Sequence, residues 1–244
     1  MGPKALAGSM DPIPVPGGLL IVFEGIDGAG KSTQIERLRA LGATLQLDCI
    51  ASREPTMGTH GRQLRESAVH GRLGVREEHR LLMLDRREHL QTLILPALAR
   101  GAVVILDRYY FSSVAYQSGE ILSAEQILAD NESFARVPDL LLLLDLPPET
   151  GIARIALRGA RPDAFESLAT LTRCREVYRS FASCAYARLI DASQDACAVA
   201  GQVEAALMQA LHRKLPALAG RQAGSSAAKS SSLRILRSAR IRRG

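Results

Sequence analysis

The sequence contains no tryptophan, and only 4% of its 244 residues are aromatic. Because 47% of the residues are nevertheless hydrophobic, the core must be built mainly from aliphatic side chains. No apolar run approaches the ~20 residues that a membrane-spanning helix requires. The amino terminus also lacks the apolar segment of a secretory signal peptide. The sequence therefore predicts no membrane span, and we expect a cytoplasmic protein.

Cysteine and histidine give no indication of a metal centre or of an activated nucleophile. The four cysteines are Cys49, Cys174, Cys184 and Cys197; no two are at Cys-x-x-Cys spacing, and none clusters with His. This pattern is typical of free thiols in a reducing compartment. We therefore assign no catalytic role to the cysteines or to the five histidines.

Basic charge is concentrated at the carboxyl end of the chain. Residues 217–244 contain seven Lys or Arg and no acidic residue, and the whole chain has 31 Lys and Arg against 25 Asp and Glu. The rest of the chain is therefore nearly neutral, which favours a small-molecule enzyme over a nucleic-acid-binding domain. We interpret the tail as a solvated, disordered segment. Binding of the tail to an anionic partner, such as membrane lipid or nucleic acid, is the alternative.

Residues 19–33, LLIVFEGIDGAGKST, carry the strongest chemical signal. An apolar run predicts a buried strand, and the pattern GxxxxGK[ST] follows it and leads directly into a helical pattern. A strand, a glycine loop and a helix in this order indicate a phosphate-binding loop. The loop and the helix amino terminus together offer backbone N–H groups to the phosphates. The predicted ATP-binding residues are Gly25, Ile26, Asp27, Gly28, Ala29, Gly30, Lys31, Ser32 and Thr33.

Strand-like and helix-like segments alternate along the rest of the chain. This order predicts an α/β fold with three layers, α/β/α, around a five-stranded parallel sheet. The predicted strands are 19–23, 44–50, 102–106, 140–144 and 187–190. The first predicted helix begins directly after the glycine loop, at about residue 31. The others cover 63–69, 76–99, 112–134 in two pieces, 149–158, 167–184 and 197–213.

The same segments predict the domain organisation. We expect a flexible leader over 1–18, one P-loop domain over 19–216 and the basic tail over 217–244. Within the domain, an arginine-bearing segment at about 154–166 has the composition of a mobile lid. Such a lid would bring positive charge over the phosphates and exclude water.

Charged residues follow several of the predicted strands, where parallel sheets bind ligands. Asp107 is placed to hold Mg²⁺ together with the Ser32 hydroxyl, although a turn or a salt bridge to Arg108 would also explain it. Arg53, Arg86 and Arg108 are candidate phosphate ligands, and a surface ion pair is the ordinary alternative for each. Arg86 and Arg87 are adjacent on one helix, so at most one of them faces a cleft.

Several of these motifs, in this order, resemble the thymidylate kinase family over roughly residues 19–213. They are FEGIDGAGKST at 23–33, SREP at 52–55, DRREHL at 85–90, PALARG at 96–101, VVILDRYYFSSVAYQSG at 103–119 and PDLLLLLDLPPE at 138–149. The resemblance implies a P-loop kinase that uses Mg²⁺ to transfer the γ-phosphoryl group of ATP to dTMP, giving dTDP. It also implies a homodimer.

The resemblance also implies roles for particular residues. Lys31, Asp27, Arg108 and a lid arginine, for which we favour Arg158 over Arg154 and Arg161, would be catalytic. Arg53 and Arg108 would hold the dTMP phosphate, and Asp27 would lie near the 3′-hydroxyl. The remaining substrate-binding residues would be Leu82, Arg86, Ser112, Ser113, Tyr116 and Gln117, of which Arg86 would reach O4 of thymine and Gln117 would face the base edge.

The sequence departs from the family pattern at a few positions. Leu82 stands where an aromatic side chain commonly stacks on thymine, and Thr56-Met57 replaces a Gly-Gly pair. Position 28 is Gly rather than the loop arginine of some members, and the lid pair Asp-Arg is Asp163-Ala164. The alternatives are therefore a kinase for another nucleoside monophosphate or for a deoxynucleoside, or a nucleotide-binding protein with impaired transfer.

Overall fold

The computed structural model describes residues 11–71, 73–157 and 167–216. The basic tail at 217–244, the beginning of the leader and most of the predicted lid lie outside the described residues. Arg158, Arg161 and the Asp163-Ala164 pair are among the residues that are not described.

Five parallel strands form one sheet in the order β2-β3-β1-β4-β5. The strands are β1 (Leu19–Glu24), β2 (Cys49–Arg53), β3 (Val103–Asp107), β4 (Leu140–Asp145) and β5 (Ala187–Asp191). The central strand β1 is buried along its whole length between β3 and β4. A strand with both faces covered needs apolar side chains on both faces, which explains the unbroken runs in β1 and β4. The prediction of a five-stranded parallel α/β sheet is confirmed.

Helices connect the strands and pack on the sheet. They are α1 (Lys31–Thr44), α2 (Thr59–His70), α3 (Val75–His89), α4 (Leu95–Ala99), α5 (Tyr110–Gln117), α6 (Ala124–Glu132), α7 (Pro148–Leu157), α8 (Leu168–Ser180) and α9 (Ala196–Lys214). A π-helical turn, Leu90–Ile94, joins α3 to α4. This turn comes just before Pro96, which has no N–H to donate within a helix. Gly101 then ends the segment with a φ of 86°, as helices commonly end.

The second strand begins later than its sequence pattern predicts. Residues up to Thr44 continue α1, and the strand starts only at Cys49. Gln46 has a φ of 58°, and the N–H of Leu47 donates to the Gly42 carbonyl at 2.9 Å. The alternation of apolar and polar residues at 44–50 therefore comes from a helix end that folds Leu47 back into the core, not from an extended strand.

The expected flexible leader is wrong for its last residues. The N–H of Ile13 donates to the Gln46 carbonyl at 2.7 Å, and that of Val15 donates to the Gly101 carbonyl at 2.9 Å. The side chain of Val15 is 1% exposed and belongs to the main core. Residues 13–18 are therefore part of the folded domain and cover the amino-terminal edge of the sheet near β3.

The burial of Val15 predicts a measurable contribution to stability. Val15→Ala should lower the free energy of unfolding by about 2 kcal/mol, because it leaves a cavity in a packed core. The matched control is Val137→Ala, since Val137 is 46% exposed, and it should change stability by less than about 0.5 kcal/mol. Urea unfolding of both variants measures the difference, and equal small effects would show that the leader does not pack.

Candidate functional site

The glycine loop lies at the carboxyl end of β1, as predicted, and leads into α1. Gly25, Gly28 and Gly30 all have positive φ values, 143°, 81° and 90°. The Lys31 Nζ donates to the carbonyls of Gly25 at 2.9 Å and Ile26 at 3.1 Å. The cavity over this loop measures about 120 Å³. It is lined by Asp27, Gly28, Gly30, Lys31, Ser32, Thr33, Arg53, Asp107 and Arg108.

The loop is held in place by close backbone packing against α7. A Cβ atom at Gly28 would lie 2.6 Å from the Gly151 carbonyl oxygen, and one at Gly151 would lie 2.7 Å from the Asp27 carbonyl oxygen. Neither position tolerates a side chain. Arg154, also on α7, donates to the carbonyls of Gly28 at 3.4 Å and Ala192 at 3.1 Å. Helix α7 therefore fixes the back of the loop.

A second and larger cleft, of about 330 Å³, opens beside the loop cavity. Residues from the loops after β1, β2 and β3 and from helices α2, α3 and α5 form its walls. They are Asp27, Glu54, Pro55, Leu64, Arg65, Ser67, Ala68, Glu78, Leu82, Arg86, Arg108, Tyr109, Ser112, Ser113, Tyr116 and Gln117. Asp27 and Arg108 line both cavities, so the two spaces meet at this pair.

Arg108 is the most constrained residue of the site. Its backbone has a φ of 71°, a left-handed conformation that costs of order 1–3 kcal/mol for a residue with a side chain. One guanidinium nitrogen donates to Asp27 Oδ1 at 2.6 Å, and the other donates to Ser112 Oγ and to the Tyr178 hydroxyl, each at 3.2 Å. The guanidinium also lies 5.1 Å from the ring centre of Tyr116. The side chain is therefore oriented before any ligand binds.

Asp27 is ionised because of these neighbours. Burial acts to raise the pKa of Asp27, but the positive charges of Arg108 and Lys31 outweigh it and lower the pKa. The Tyr116 hydroxyl lies 3.4 Å from Asp27 Oδ2. Asp27 therefore accepts hydrogen bonds on both oxygens at the junction of the two cavities.

Glu24 fixes the turn that carries Arg108. It is fully buried and accepts hydrogen bonds from the N–H groups of Tyr109 at 2.8 Å and Ser112 at 3.1 Å, and from the Ser112 hydroxyl at 2.6 Å. Burial raises the pKa of Glu24, and Arg108 opposes that change. Since the carboxyl group is engaged by the start of α5, its role in this arrangement is structural.

Arg86 lies in a buried polar network at the far end of the larger cleft. It is 1% exposed and donates to Glu54 at 2.7 Å, to Ser113 at 3.2 Å and to Asn131. Each terminal nitrogen of Arg86 still has one N–H beyond these bonds. Its neighbour Arg87 instead lies 3.8 Å from the ring centre of Phe134. The prediction that only one of the two arginines faces a cleft is confirmed.

The other residues predicted from the sequence are distributed between the two cavities. Leu82, Ser113, Tyr116 and Gln117 line the larger cleft, whereas Arg53 is exposed and lines the loop cavity only. The Nε2 atom of Gln117 is buried and has no hydrogen-bond partner among the described residues. Gln117 itself lines the larger cleft, but this nitrogen is not exposed to it.

Ser32 and Asp107 are adjacent, as predicted for a cation site. Ser32 Oγ lies 3.5 Å from Asp107 Oδ2, and Asp107 Oδ1 is buried without a hydrogen-bond partner in the described part of the chain. Within that part, no cluster of three or more His, Cys, Asp or Glu residues is arranged around a metal position. A single carboxylate with a hydroxyl suits Mg²⁺ that takes its other ligands from phosphate and water.

Sequence reasoning missed several residues that shape the site. Tyr178 on α8 contacts Arg108 and Ser112, and its hydroxyl lies 2.9 Å from Ser112 Oγ. Glu54 and Asn131 hold Arg86. Tyr178 and Asn131 stand in no recognisable motif, because their partners are distant in the sequence. Glu54 lies inside the SREP motif, so the sequence did contain a signal for this residue.

Among residues 11–71, 73–157 and 167–216, no helix is both long and apolar enough to cross a membrane. This finding agrees with the sequence prediction for the part of the chain that is described.

Comparison with known proteins gives one consistent result. Residues 23–203 match the family model described as thymidylate kinase. A protein named thymidylate kinase from Xanthomonas campestris pv. campestris (strain B100) is 50% identical over 200 residues, which cover 82% of this chain and 87% of that protein. One of the same name from Xanthomonas euvesicatoria pv. vesicatoria (strain 85-10) is 48% identical over 212 residues, covering 87% and 93%. Another, from Akkermansia muciniphila, is 49% identical over 203 residues, covering 83% and 96%.

The environment of Lys31 predicts proton uptake when a triphosphate binds. Burial, assisted by Arg108, lowers the pKa of Lys31 to about 8. A nearby polyanion favours the charged form and raises that pKa, so binding at about pH 9 should take up close to one proton. Much less should be taken up at about pH 7, where Lys31 is already charged.

Calorimetric titration with Mg-ATP, in two buffers of different ionisation enthalpy, measures the number of protons taken up on binding. The control is Lys31→Met, which has no group to titrate and should lose the uptake at about pH 9. If the wild-type protein takes up no proton at that pH, Lys31 does not meet the triphosphate.

Proposed function

We propose that the chain, which belongs to the thymidylate kinase family, transfers the γ-phosphoryl group of ATP to dTMP and so forms dTDP and ADP. The observation that carries this proposal is the junction of two cavities at Asp27 and Arg108. A kinase for a phosphorylated acceptor needs two adjacent anion sites with a fixed cation between them. This junction has that arrangement.

The donor side of the proposal uses the loop cavity. The loop N–H groups and the amino terminus of α1 would bind the β- and γ-phosphates of ATP. Lys31 lies under the loop, with its Nζ on two carbonyl oxygens, and would turn toward the phosphates as they enter. The close contact between Gly28 and Gly151 keeps the loop backbone in a conformation that a bulkier residue at either position would disrupt.

Mg²⁺ fits the donor side as the cofactor. Ser32 Oγ and Asp107 would hold it. The feature that favours this assignment is the buried Oδ1 of Asp107, which has no hydrogen-bond partner among the described residues. When bound, Mg²⁺ neutralises charge on the phosphate oxygens during transfer. The protein contributes the position of these oxygen ligands.

The acceptor side uses the larger cleft. Arg108 would bind the dTMP phosphate, and Arg53, which lies across the loop cavity, would assist from the solvent side. Asp27 would meet the 3′-hydroxyl of the sugar, and Tyr116 would pack beneath the sugar. The base would reach Arg86, Ser112, Ser113 and Gln117, with Leu82 packing on its face. These assignments follow the family resemblance, and all of these residues except Arg53 line the larger cleft.

Phosphoryl transfer to dTMP depends more on how the two phosphate groups are positioned than on proton transfer. The acceptor is a phosphate anion at neutral pH, so no strong general base is required. Two anions must be brought together, and a fixed guanidinium at their meeting point lowers the repulsion. Arg108, which is already oriented by Asp27, Ser112 and Tyr178, fulfils this requirement without reorganisation.

A further arginine would come from the lid in this proposal. Position 28 of the loop cannot supply one, because even a Cβ atom there would collide with Gly151. Arg158 is our candidate and lies outside the described residues, as does the alternative Arg161. Arg154 already donates hydrogen bonds to the backbone carbonyls of Gly28 and Ala192, which favours Arg158 over Arg154 as the catalytic lid arginine.

Three further features belong to the proposal. We expect a single kinase domain over 19–216, against which residues 13–18 pack. We also expect a homodimer, as the family resemblance implies, and a location in the cytoplasm. The basic tail is expected to lie apart from catalysis.

Leu82 favours the alternative of a kinase for another nucleoside monophosphate or for a deoxynucleoside, because an aliphatic side chain does not stack on thymine as an aromatic ring does. A panel of dTMP, dUMP, dCMP, dGMP and thymidine, assayed by coupled ADP release with Mg-ATP, separates the possibilities. We expect strong preference for dTMP, and turnover lowered at least about 100-fold in Lys31→Ala, with dTMP affinity within a fewfold of wild type. Preference for another acceptor, or near-normal turnover in Lys31→Ala, would contradict the proposal.

A further inference from the structure

A polar ladder of side-chain pairs joins helix α3 to the end of β2 and to the loop that follows it. Every second residue from 52 to 56 contributes one side chain to this ladder. The pairs are Ser52–His89 at 2.8 Å, Glu54–Arg86 at 2.7 Å and Thr56–Asp85 at 2.5 Å. On the helix, position 89 is four residues from 85 and three from 86, so the side chains are neighbours. The loop is therefore bonded to α3 at three successive points.

The pair of Thr56 and Asp85 is the member of the ladder that lies farthest along the loop. Asp85 is 1% exposed, and its Oδ2 accepts a hydrogen bond from the Thr56 backbone N–H at 2.8 Å. Its Oδ1 accepts from the Thr56 hydroxyl at 2.5 Å. The same hydroxyl oxygen accepts from the N–H of Gly58 at 2.9 Å, directly before α2 begins. One hydroxyl group therefore links α3, the loop and the start of α2.

Helix α2 fixes the loop from the opposite side. Arg65 on α2 donates to the carbonyls of Pro55 at 2.5 Å and Thr56 at 2.6 Å. A Cβ atom at Gly61 would lie 2.0 Å from the Thr56 carbonyl oxygen and 2.8 Å from Asp85 Oδ1. The backbone around Thr56 is therefore packed against α2 without room for a side chain at Gly61.

The loop held in this way forms one wall of the larger cleft. Glu54 and Pro55 line that cleft, as does Arg65, and none of the three lines the loop cavity. Glu54 also orients Arg86, which is next to Asp85 on α3. A shift of the loop would therefore move the cleft wall and the partner of Arg86, while the glycine loop would keep its own contacts with α7.

We propose that Thr56, through its bonds to Asp85, positions this wall of the larger cleft and so sets the affinity for the nucleoside monophosphate. The inference rests on the proposed function, in which dTMP binds the larger cleft. Thr56 stands where the family pattern has Gly, which has no hydroxyl to bond to Asp85 and Gly58. Thr56 lines neither cavity, so it is a positioning residue.

Thr56→Val tests the inference, because valine has a similar shape and no hydroxyl. Asp85 Oδ1 and the Gly58 N–H would lose their bonds to residue 56, and the loop would be held less firmly. The Kd for dTMP should rise about tenfold, the equivalent of one lost hydrogen bond to a carboxylate. The Kd for Mg-ATP should stay within about twofold of wild type. Calorimetric titration of the full-length protein with each nucleotide alone measures both constants.

Two matched variants serve as controls. Thr56→Ser keeps the hydroxyl and should bind dTMP within about threefold of wild type. Thr92→Val removes a hydroxyl that donates to the Glu88 carbonyl at 2.8 Å on an exposed helix face, and it should leave dTMP affinity unchanged. Thermal unfolding shows whether each variant is folded. If Thr56→Val does not fold, Thr56→Gly takes its place, with the same selective loss expected.

Three results would overturn the inference. The first is a folded variant without the hydroxyl that binds dTMP within about twofold of wild type. The second is equal weakening of dTMP and Mg-ATP binding, since a purely structural role would affect both cavities. The third is a loss of dTMP affinity in Thr56→Ser as large as that in Thr56→Val.

The outcome is separable from that of the proposed function. If the wild-type protein phosphorylates dTMP but Thr56→Val binds it normally, the role of Thr56 fails and the kinase assignment stands. If the wild-type protein neither binds nor phosphorylates dTMP, the proposed function fails, and the inference fails with it.

Discussion

The ion pair between Arg108 and Asp27 is the interaction on which the site depends. Taking a guanidinium out of water costs several kcal/mol unless a counter-ion and hydrogen bonds compensate. Here Asp27 at 2.6 Å, Ser112 and Tyr178 supply that compensation. The strained backbone of Arg108 is held because its N–H bonds to the Phe23 carbonyl at 3.0 Å and because Glu24 fixes the following turn. The central strand β1 therefore determines where the positive charge lies.

This arrangement links the two halves of the reaction. The loop cavity ends at the same pair of side chains as the acceptor cleft, so a donor phosphate and an acceptor phosphate would meet at one guanidinium. At the other end of the acceptor cleft, Arg86 is buried among Glu54, Ser113 and Asn131 and has little freedom to move. The nucleotide would thus be positioned at both ends by cations that the fold has already oriented, which is what catalysis by positioning requires.

The sequence allowed the sheet, the loop and half of the residues that line the larger cleft to be predicted, because each has a local signal. Unbroken apolar runs identify buried parallel strands, and the GxxxxGK[ST] pattern identifies its loop wherever it occurs. The predicted strand at 44–50 was wrong because a helix end with Gln46 in a left-handed conformation imitates strand alternation. Val15 was assigned to a flexible leader because nearby Pro and Gly residues conceal its contact with Gly101.

Other features depend on contacts between distant segments and have no local pattern. Asp145 ends β4 as Asp107 ends β3, yet Asp145 pairs with Arg175 and Arg179 of α8 and lies outside both cavities. Tyr178 contacts the site through Arg108, and Asn131 contacts it through Arg86; each partner is more than forty residues away in the sequence. Only the packing of α3, α5, α6 and α8 brings these groups together.

The most direct test of this account is the turnover of Arg108→Met with Mg-ATP and dTMP. The matched control is Arg87→Met, since Arg87 lies over Phe134 instead of lining either cavity. The account predicts that Arg108→Met lowers kcat/KM by at least about 100-fold, while Arg87→Met stays within about twofold of wild type. Thermal unfolding of both variants establishes that they are folded. A folded Arg108→Met protein with kcat/KM within about threefold of wild type would contradict the claim that this guanidinium serves both phosphates.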